Sequence, residues 1–182
     1  MEFQQSKTYN NLLSAYNFEL MVSTTYQIYA DRARDEDYIE IGNLFDITAK
    51  NDKEHARIWL RNLNNGTVPT TEQNLLSSSE VDAEAGNDTY REYARVAREE
   101  GYNDIAALFN GVANIELNHS LNFRTNYENV VRGEVFCKPV ETLWICMQCG
   151  NIMSGICAPT ICPVCLFPQG YYRLFDTDTE IV

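Results

Sequence analysis

Two short motifs carry the first chemical hint: Asp52-x-x-His55 in "NDKEHA" and Glu116-x-x-His119 in "ANIELNHS". These are the only two histidines in the chain. On a helix, positions three apart share a face, so each motif sets a carboxylate beside an imidazole. On a solvated face such a pair means little. On a face turned to the core it is a ready metal-ligand pair.

A second group of reactive residues lies downstream. "CMQCG" (146–150) and "CPVC" (162–165) give Cys-x-x-Cys twice, with twelve residues between them. Each pair offers two thiolates on a tight turn whose backbone N–H groups aim at sulfur. Two such turns complete a tetrahedral four-sulfur site from Cys146, Cys149, Cys162 and Cys165. Spacing alone leaves zinc and iron both open. Cys137 and Cys157 stand outside the pattern and read as buried or loop thiols. None of the cysteines lies in the first 136 residues, a clustering that in a reducing compartment means metal rather than disulfides.

The elements that must position these residues follow from periodicity. Through residue 133 or so, apolar residues recur at helical spacing in four long segments: about Lys7 to Ala33, Tyr38 to Leu63, Ser79 to Glu100, and Tyr102 to Val131. The polar stretch "NNGTVPTTEQN", with Gly66 and Pro69, reads as a loop between the second and third. Beyond Gly133 helical periodicity stops, and "VFCKPVETLWICMQCG" reads as short strands leading into a turn. The expected architecture is mainly α: a ferritin-like four-helix bundle over residues 1–135, then a small metal-bound β domain over 141–182. Trp144, Phe167, Tyr171 and Phe175 are the expected core of that small domain, which is too small to be stable without metal.

An internal repeat supports the bundle. Residues 26–55 align without a gap on 90–119, matching Tyr26 with Tyr90, Ala30 with Ala94, Tyr38 with Tyr102, Phe45 with Phe109 and His55 with His119. Asp52 falls on Glu116. In the second helix, Tyr38, Ile41, Phe45, Thr48, Asp52, His55 and Trp59 form one stripe at alternating steps of three and four. The fourth repeats it with Tyr102, Ile105, Phe109, Val112, Glu116, His119 and Phe123. Glu19 lies in the stripe of the first helix, and Asp82 leads that of the third. Extending the gapless repeat puts Glu19 on Ala83, so Asp82 and Glu84 each miss by one place, and the stripe favours Asp82.

The stripes predict that all these ligands point inward. A buried unpaired carboxylate is costly or stays protonated. Four of them, with two neutral imidazoles, are balanced by two divalent cations, and hard oxygen donors with few imidazoles suit iron or manganese. Tyr26 and Tyr90 are candidate catalytic residues near the metals, with a structural core role equally open.

Composition sets outer limits. The 182 residues carry a net charge of −12 with no basic cluster, which argues against nucleic acid and anionic membrane surfaces. No run approaches the ~18 apolar residues of a membrane span. The polar start "MEFQQSKTYNNLL" lacks the layout of a secretory signal, so a cytoplasmic location is expected.

Over nearly its full length the chain resembles the rubrerythrin family. The carriers are "YNFELMVSTTY" with Glu19, "NDKEHA", "AREEGYNDIAALF", "ANIELNHS" and "WICMQCG…APTICPVC". Counting back from "EEGY" to the family's helix-three ligand lands on Asp82. The resemblance implies a di-iron centre in the bundle and a single iron in a rubredoxin-like four-cysteine domain, with zinc as a substitute in either. It implies a peroxidase that reduces hydrogen peroxide to water in oxidative-stress protection. Asp52 and Glu116 would bridge the metals, Glu19 and Asp82 would be terminal, and His55 and His119 would cap one metal each. The four-cysteine iron would relay electrons from a rubredoxin or a reductase, in a homodimer. Alternatives are a ferroxidase or iron-handling protein, and a redox carrier or sensor with an impaired di-iron site. Two departures stand out: Asp52 and Asp82 replace the usual Glu, and Ala85 replaces a further helix-three carboxylate.

Overall fold

A computed structural model describes residues 2–176. The chain divides into two compact units, Met1–Thr70 and Thr71–Val182. The first holds α1 (Lys7–Asp35) and α2 (Ile39–Leu63) after a short 3-10 turn. The second holds α3 (Thr71–Glu84), a π-helical turn (Ala85–Thr89), α4 (Tyr90–Glu99) and α5 (Asn103–Arg132). Three strands follow: β1 (Cys137–Cys146), β2 (Ile152–Cys157) and β3 (Tyr172–Leu174). The change of sequence texture near 133–141 thus falls inside the second unit.

The repeat is visible as one helix-turn-helix built twice. The Tyr38 N–H donates to the Ala33 carbonyl at 2.8 Å, and the Tyr102 N–H to the Ala97 carbonyl at 2.8 Å. Both reversals pass through a left-handed residue, Asp37 (φ 64°) and Gly101 (φ 89°). At the start of α1, the Ser6 side chain accepts the Tyr9 N–H at 3.1 Å and closes the helix end.

Small residues line the contact between helices. Ser23, Ala30 and Ala33 of α1 and Gly42, Ala49 and Ala56 of α2 are buried, as are Ala94, Ala97, Ala106 and Ala113 in the second unit. Without bulky side chains the backbones approach closely enough for the Ser23 hydroxyl to donate to the Ala49 carbonyl at 2.8 Å. In the second unit a different serine makes a similar bond, the Ser120 hydroxyl of α5 donating to the Ser79 carbonyl of α3 at 2.7 Å.

This corrects the reading of the stripes as the faces turned to the core. The buried line is the small-residue one beside them, while Tyr38, Ile41, Tyr102 and Ile105 are exposed. Large side chains cannot lie on the line of closest helix approach. The rings of the stripe do cluster: Tyr26, Tyr29 and Phe45 pack together, and Tyr90, Tyr93 and Phe109 repeat the cluster. The third helical segment also begins earlier than expected, at Thr71 rather than Ser79. "TEQN" reads as loop because it is polar, yet a solvated first turn with Glu72 near its start suits a helix N-terminus.

The strands form one antiparallel sheet in the order β2-β1-β3. Its core is Trp144, Cys146, Ala158, Cys162 and Tyr172, flanked by Phe136 and Cys165. Tyr172 takes the place expected for Tyr171, because the 3-10 turn Gln169–Tyr171 sets the alternation of β3. Tyr171 stays exposed, edge-on to Phe167 at 4.7 Å. Phe167 and Phe175 are half-buried.

Cys137 and Cys157 are joined as a disulfide, correcting their reading as separate thiols. They are register partners across β1 and β2, which brings their Cβ atoms side by side. Their separation of 20 residues hides this in the sequence.

Candidate metal centre

Each helical unit gathers one carboxylate-rich triad. In the first, Glu19 comes from α1 and Asp52 and His55 from the same face of α2. The His55 Nδ1 stands 3.4 Å from Glu19 Oε2 and 3.6 Å from Asp52 Oδ1. In the second, Asp82 comes from α3 and Glu116 and His119 from α5, with His119 Nδ1 at 3.2 Å from Glu116 Oε2. Within each triad, one ligand atom per residue can be chosen so that all lie within 4.8 Å of one another. The carboxylates are largely covered, with side-chain exposures of 19% for Glu19, 13% for Asp52 and 23% for Glu116, while both imidazoles are 50% exposed.

The π-helical turn decides between Asp82 and Glu84. Glu19 precedes Tyr26 by seven positions, whereas Asp82 precedes Tyr90 by eight. The wide turn at Ala85–Thr89 absorbs that extra residue, so Asp82 joins Glu116 and His119 as Glu19 joins Asp52 and His55. Among the described residues, Glu84 joins no such cluster. Gly86 makes the turn possible: a Cβ there would stand 2.7 Å from the Ala113 carbonyl oxygen and from Leu117 Cγ.

The four cysteines form a third cluster. The Sγ atoms of Cys146 and Cys165 are 3.6 Å apart, and those of Cys149 and Cys162 are 3.7 Å apart. With metal–sulfur bonds of about 2.3 Å, the corners of a tetrahedron stand about 3.8 Å from one another. The sulfurs therefore already have the spacing of a metal cage. The two turns match: the Gly150 N–H donates to the Cys146 carbonyl at 2.8 Å, and the Leu166 N–H to the Cys162 carbonyl at 3.0 Å.

Backbone N–H groups of Asn151, Val164 and Phe167 serve the sulfurs of Cys149, Cys162 and Cys165. The Tyr172 hydroxyl and the N–H groups of Cys165 and Val164 hold the Cys162 thiol down at about 6, against the effect of burial. Cys165 is pulled down by the Phe167 N–H, but burial and its sulfur neighbours push it up to about 12. A metal ion entering such a cage displaces the thiol protons that remain.

The donor chemistry fits the metals expected. Each triad offers two carboxylates and one imidazole, hard donors that suit iron, and the sulfur cage suits iron or zinc. The sequence profile of rubrerythrin matches residues 10–74 and 74–144. The chain belongs to the rubrerythrin family.

Rubrerythrin of Clostridium perfringens is 35% identical, over 93% of this chain and 95% of its own. Rubrerythrin-1 of Clostridium acetobutylicum is 31% identical, over 94% and 95%. A solved structure of nigerythrin in a mixed-valence state aligns at a TM-score of 0.35 and 23% identity, covering 93% of this chain and 87% of that one. Membership in the rubrerythrin family makes this an iron-binding oxidoreductase of the di-iron, ferritin-like class, with a role in oxidative-stress protection. No described helix is long and apolar enough to cross a membrane.

All ten metal-ligand candidates thus fall in three clusters. Tyr26 and Tyr90 fall in the ring clusters, where packing is the role their geometry supports. Tyr172 and the disulfide were missed. Tyr172 was legible only as one of two adjacent tyrosines, and its choice over Tyr171 depends on strand phase.

Proposed function

We propose that this protein is a peroxidase that reduces hydrogen peroxide to two waters at iron held by its two carboxylate–histidine triads. The observation that carries the reading is the matched donor set: Glu19, Asp52 and His55 in one unit, Asp82, Glu116 and His119 in the other. A pair of irons, when bound, supplies the two electrons needed to split the O–O bond. Glu19, Asp52 and His55 would hold iron in the first unit, and Asp82, Glu116 and His119 would hold it in the second. The half-exposed imidazoles leave both triads open to solvent, so the protons that turn two hydroxides into waters need no dedicated channel.

The four-cysteine cage holds the third iron and returns electrons one at a time from an external rubredoxin or reductase. Its closely spaced sulfurs and short turns support that role. In this reading residues 1–135 form the di-iron part and 141–182 the electron-relay part of a cytoplasmic homodimer.

One observation favours a second reading, iron oxidation. Ala85 stands where the family has a further carboxylate, so the second triad has the same donor types as the first rather than an extra ligand. The experiment is anaerobic mixing of the reduced, iron-loaded protein with hydrogen peroxide, following the absorbance of both kinds of centre. Fast stoichiometric oxidation with repeated turnover on added reductant is the expected result. Turnover only with excess Fe(II) replaces it with the iron-oxidation reading. Asp52→Ala abolishes the fast phase; persistence of that phase would overturn the ligand assignment.

A further inference from the structure

Tyr172 is a tyrosine where phenylalanine would fill the same space. The ring packs in the sheet core with Trp144, Cys146 and Cys162, and the residue is 3% exposed. Its register partner in β1 is Cys146, so the strand pairing itself fixes the ring beside the sulfur cage. The hydroxyl is fully buried and without a well-formed hydrogen bond, and the polar groups beside it are the Cys162 sulfur and the Asn151 side chain. A buried hydroxyl without a partner is destabilising, and deleting it would remove that cost. The side-chain nitrogen of Asn151, on the turn between β1 and β2, is a second buried donor left unpaired in the same small module.

The sulfur cage supplies the missing acceptor. Tyr172 shares the sheet core with Cys162, and the two side chains are hydrogen-bonding neighbours. The hydroxyl is thus a donor beside a sulfur that becomes a full thiolate once metal is bound.

We propose that the Tyr172 hydroxyl donates a hydrogen bond to the Cys162 thiolate of the iron-loaded cage and thereby raises the reduction potential of that iron. The inference rests on the reading that the four cysteines hold iron. A donor at a ligand sulfur withdraws electron density, and the reduced site carries one more negative charge than the oxidised one. The bond therefore stabilises the reduced form more. The N–H groups of Asn151, Val164 and Phe167 act in the same direction, but they belong to the backbone and come with the turns. Tyr172 is the side-chain donor that can be removed by itself. It acts through Cys162, as a positioning and tuning residue rather than a catalytic one.

The test uses the full chain loaded with iron and compares the parent with Tyr172→Phe and Tyr171→Phe. Spectroelectrochemical titration of the sulfur-to-iron charge-transfer band reads the potential without reference to peroxide turnover. Tyr172→Phe is expected to lower the ratio of reduced to oxidised iron at a fixed potential about tenfold, which for one electron is about 59 mV. Iron content and circular dichroism stay unchanged. Tyr171→Phe, which removes an exposed hydroxyl from the neighbouring residue, leaves the midpoint where it was. An unchanged midpoint in Tyr172→Phe, or an equal shift in both variants, overturns the inference. A parent protein that takes up iron at the triads but shows no sulfur-to-iron band overturns the iron reading of the cage instead, and the inference with it.

Discussion

Gly150 and Leu166 hold the same place in the two cysteine turns, one residue after the second Cys, and both have a left-handed backbone, φ 77° and 61°. Glycine adopts that conformation freely, whereas a residue with a Cβ pays about 1–2 kcal/mol. Leu166 is 75% exposed, so its side chain returns little by burial. Leu166→Gly should therefore stabilise the iron-loaded module by about 1 kcal/mol, part of the gain being offset by glycine's freedom in the unfolded chain. The measurement is the thermal midpoint for loss of the sulfur-to-iron band, and a lower midpoint in the variant would contradict the strain argument. At this scale the sequence was highly legible. Cys-x-x-Cys fixes a turn, and carboxylate-x-x-His fixes a shared helix face, because both geometries are set within four residues. The strain at Leu166 was not legible, since it depends on the turn closing onto its own carbonyl.

Among the elements, the segment from Thr71 to Glu99 differs most from its counterpart α1. Its extra residue is taken up in the π-helical turn, and Asp82 thereby keeps the face that Glu19 has in α1. Deleting Asn87 should convert the turn to regular helix and leave Asp82 at its triad, with metal content unchanged by atomic absorption. A loss of the second triad's metal would show that the wide turn has a role beyond absorbing the insertion. Gly86→Ala tests the packing of the same turn. The new Cβ meets the Ala113 backbone, which cannot rotate away as a side chain could, so the helices must separate beside Glu116. A loss of about 1–3 kcal/mol is expected, read by urea denaturation. The repeat itself was legible because small residues and turn residues recur at fixed spacing. The π-turn was visible only as a one-place mismatch, Asp82 and Glu84 each missing the repeat by one.

For the whole molecule, two quantities follow from the clusters. The iron content should be about three per chain, two at the triads and one at the cage, and His55→Ala should lower it by destroying one triad. The disulfide between Cys137 and Cys157 closes a loop of 20 residues that contains Cys146 and Cys149 but neither Cys162 nor Cys165. Replacing both cysteines by serine should destabilise the strand module by about 3 kcal/mol and leave the iron bound, because the four ligands are untouched. Chemical denaturation followed at the sulfur-to-iron band, with metal analysis of the variant, checks both parts. Loss of the cage iron on substitution would mean that the disulfide positions β1 for ligation.

What the chain's order of residues determined was whatever repeats or closes locally: the helices, the paired motifs, the two cysteine turns, and the family to which they belong. Asp52 with His55, Glu116 with His119, and the four cysteines needed no tertiary knowledge. Tertiary structure decided everything that depends on two distant segments meeting. It put the small residues rather than the aromatic stripe on the line of closest helix approach, and it chose Asp82 through a widened turn. It also joined Cys137 to Cys157 across a strand pair and turned Tyr172 rather than Tyr171 toward sulfur. The physical reason is common to all four. Helical and strand periodicities say which residues share a face, but only the approach of another backbone says which face is covered, and a single extra residue in a turn changes the answer.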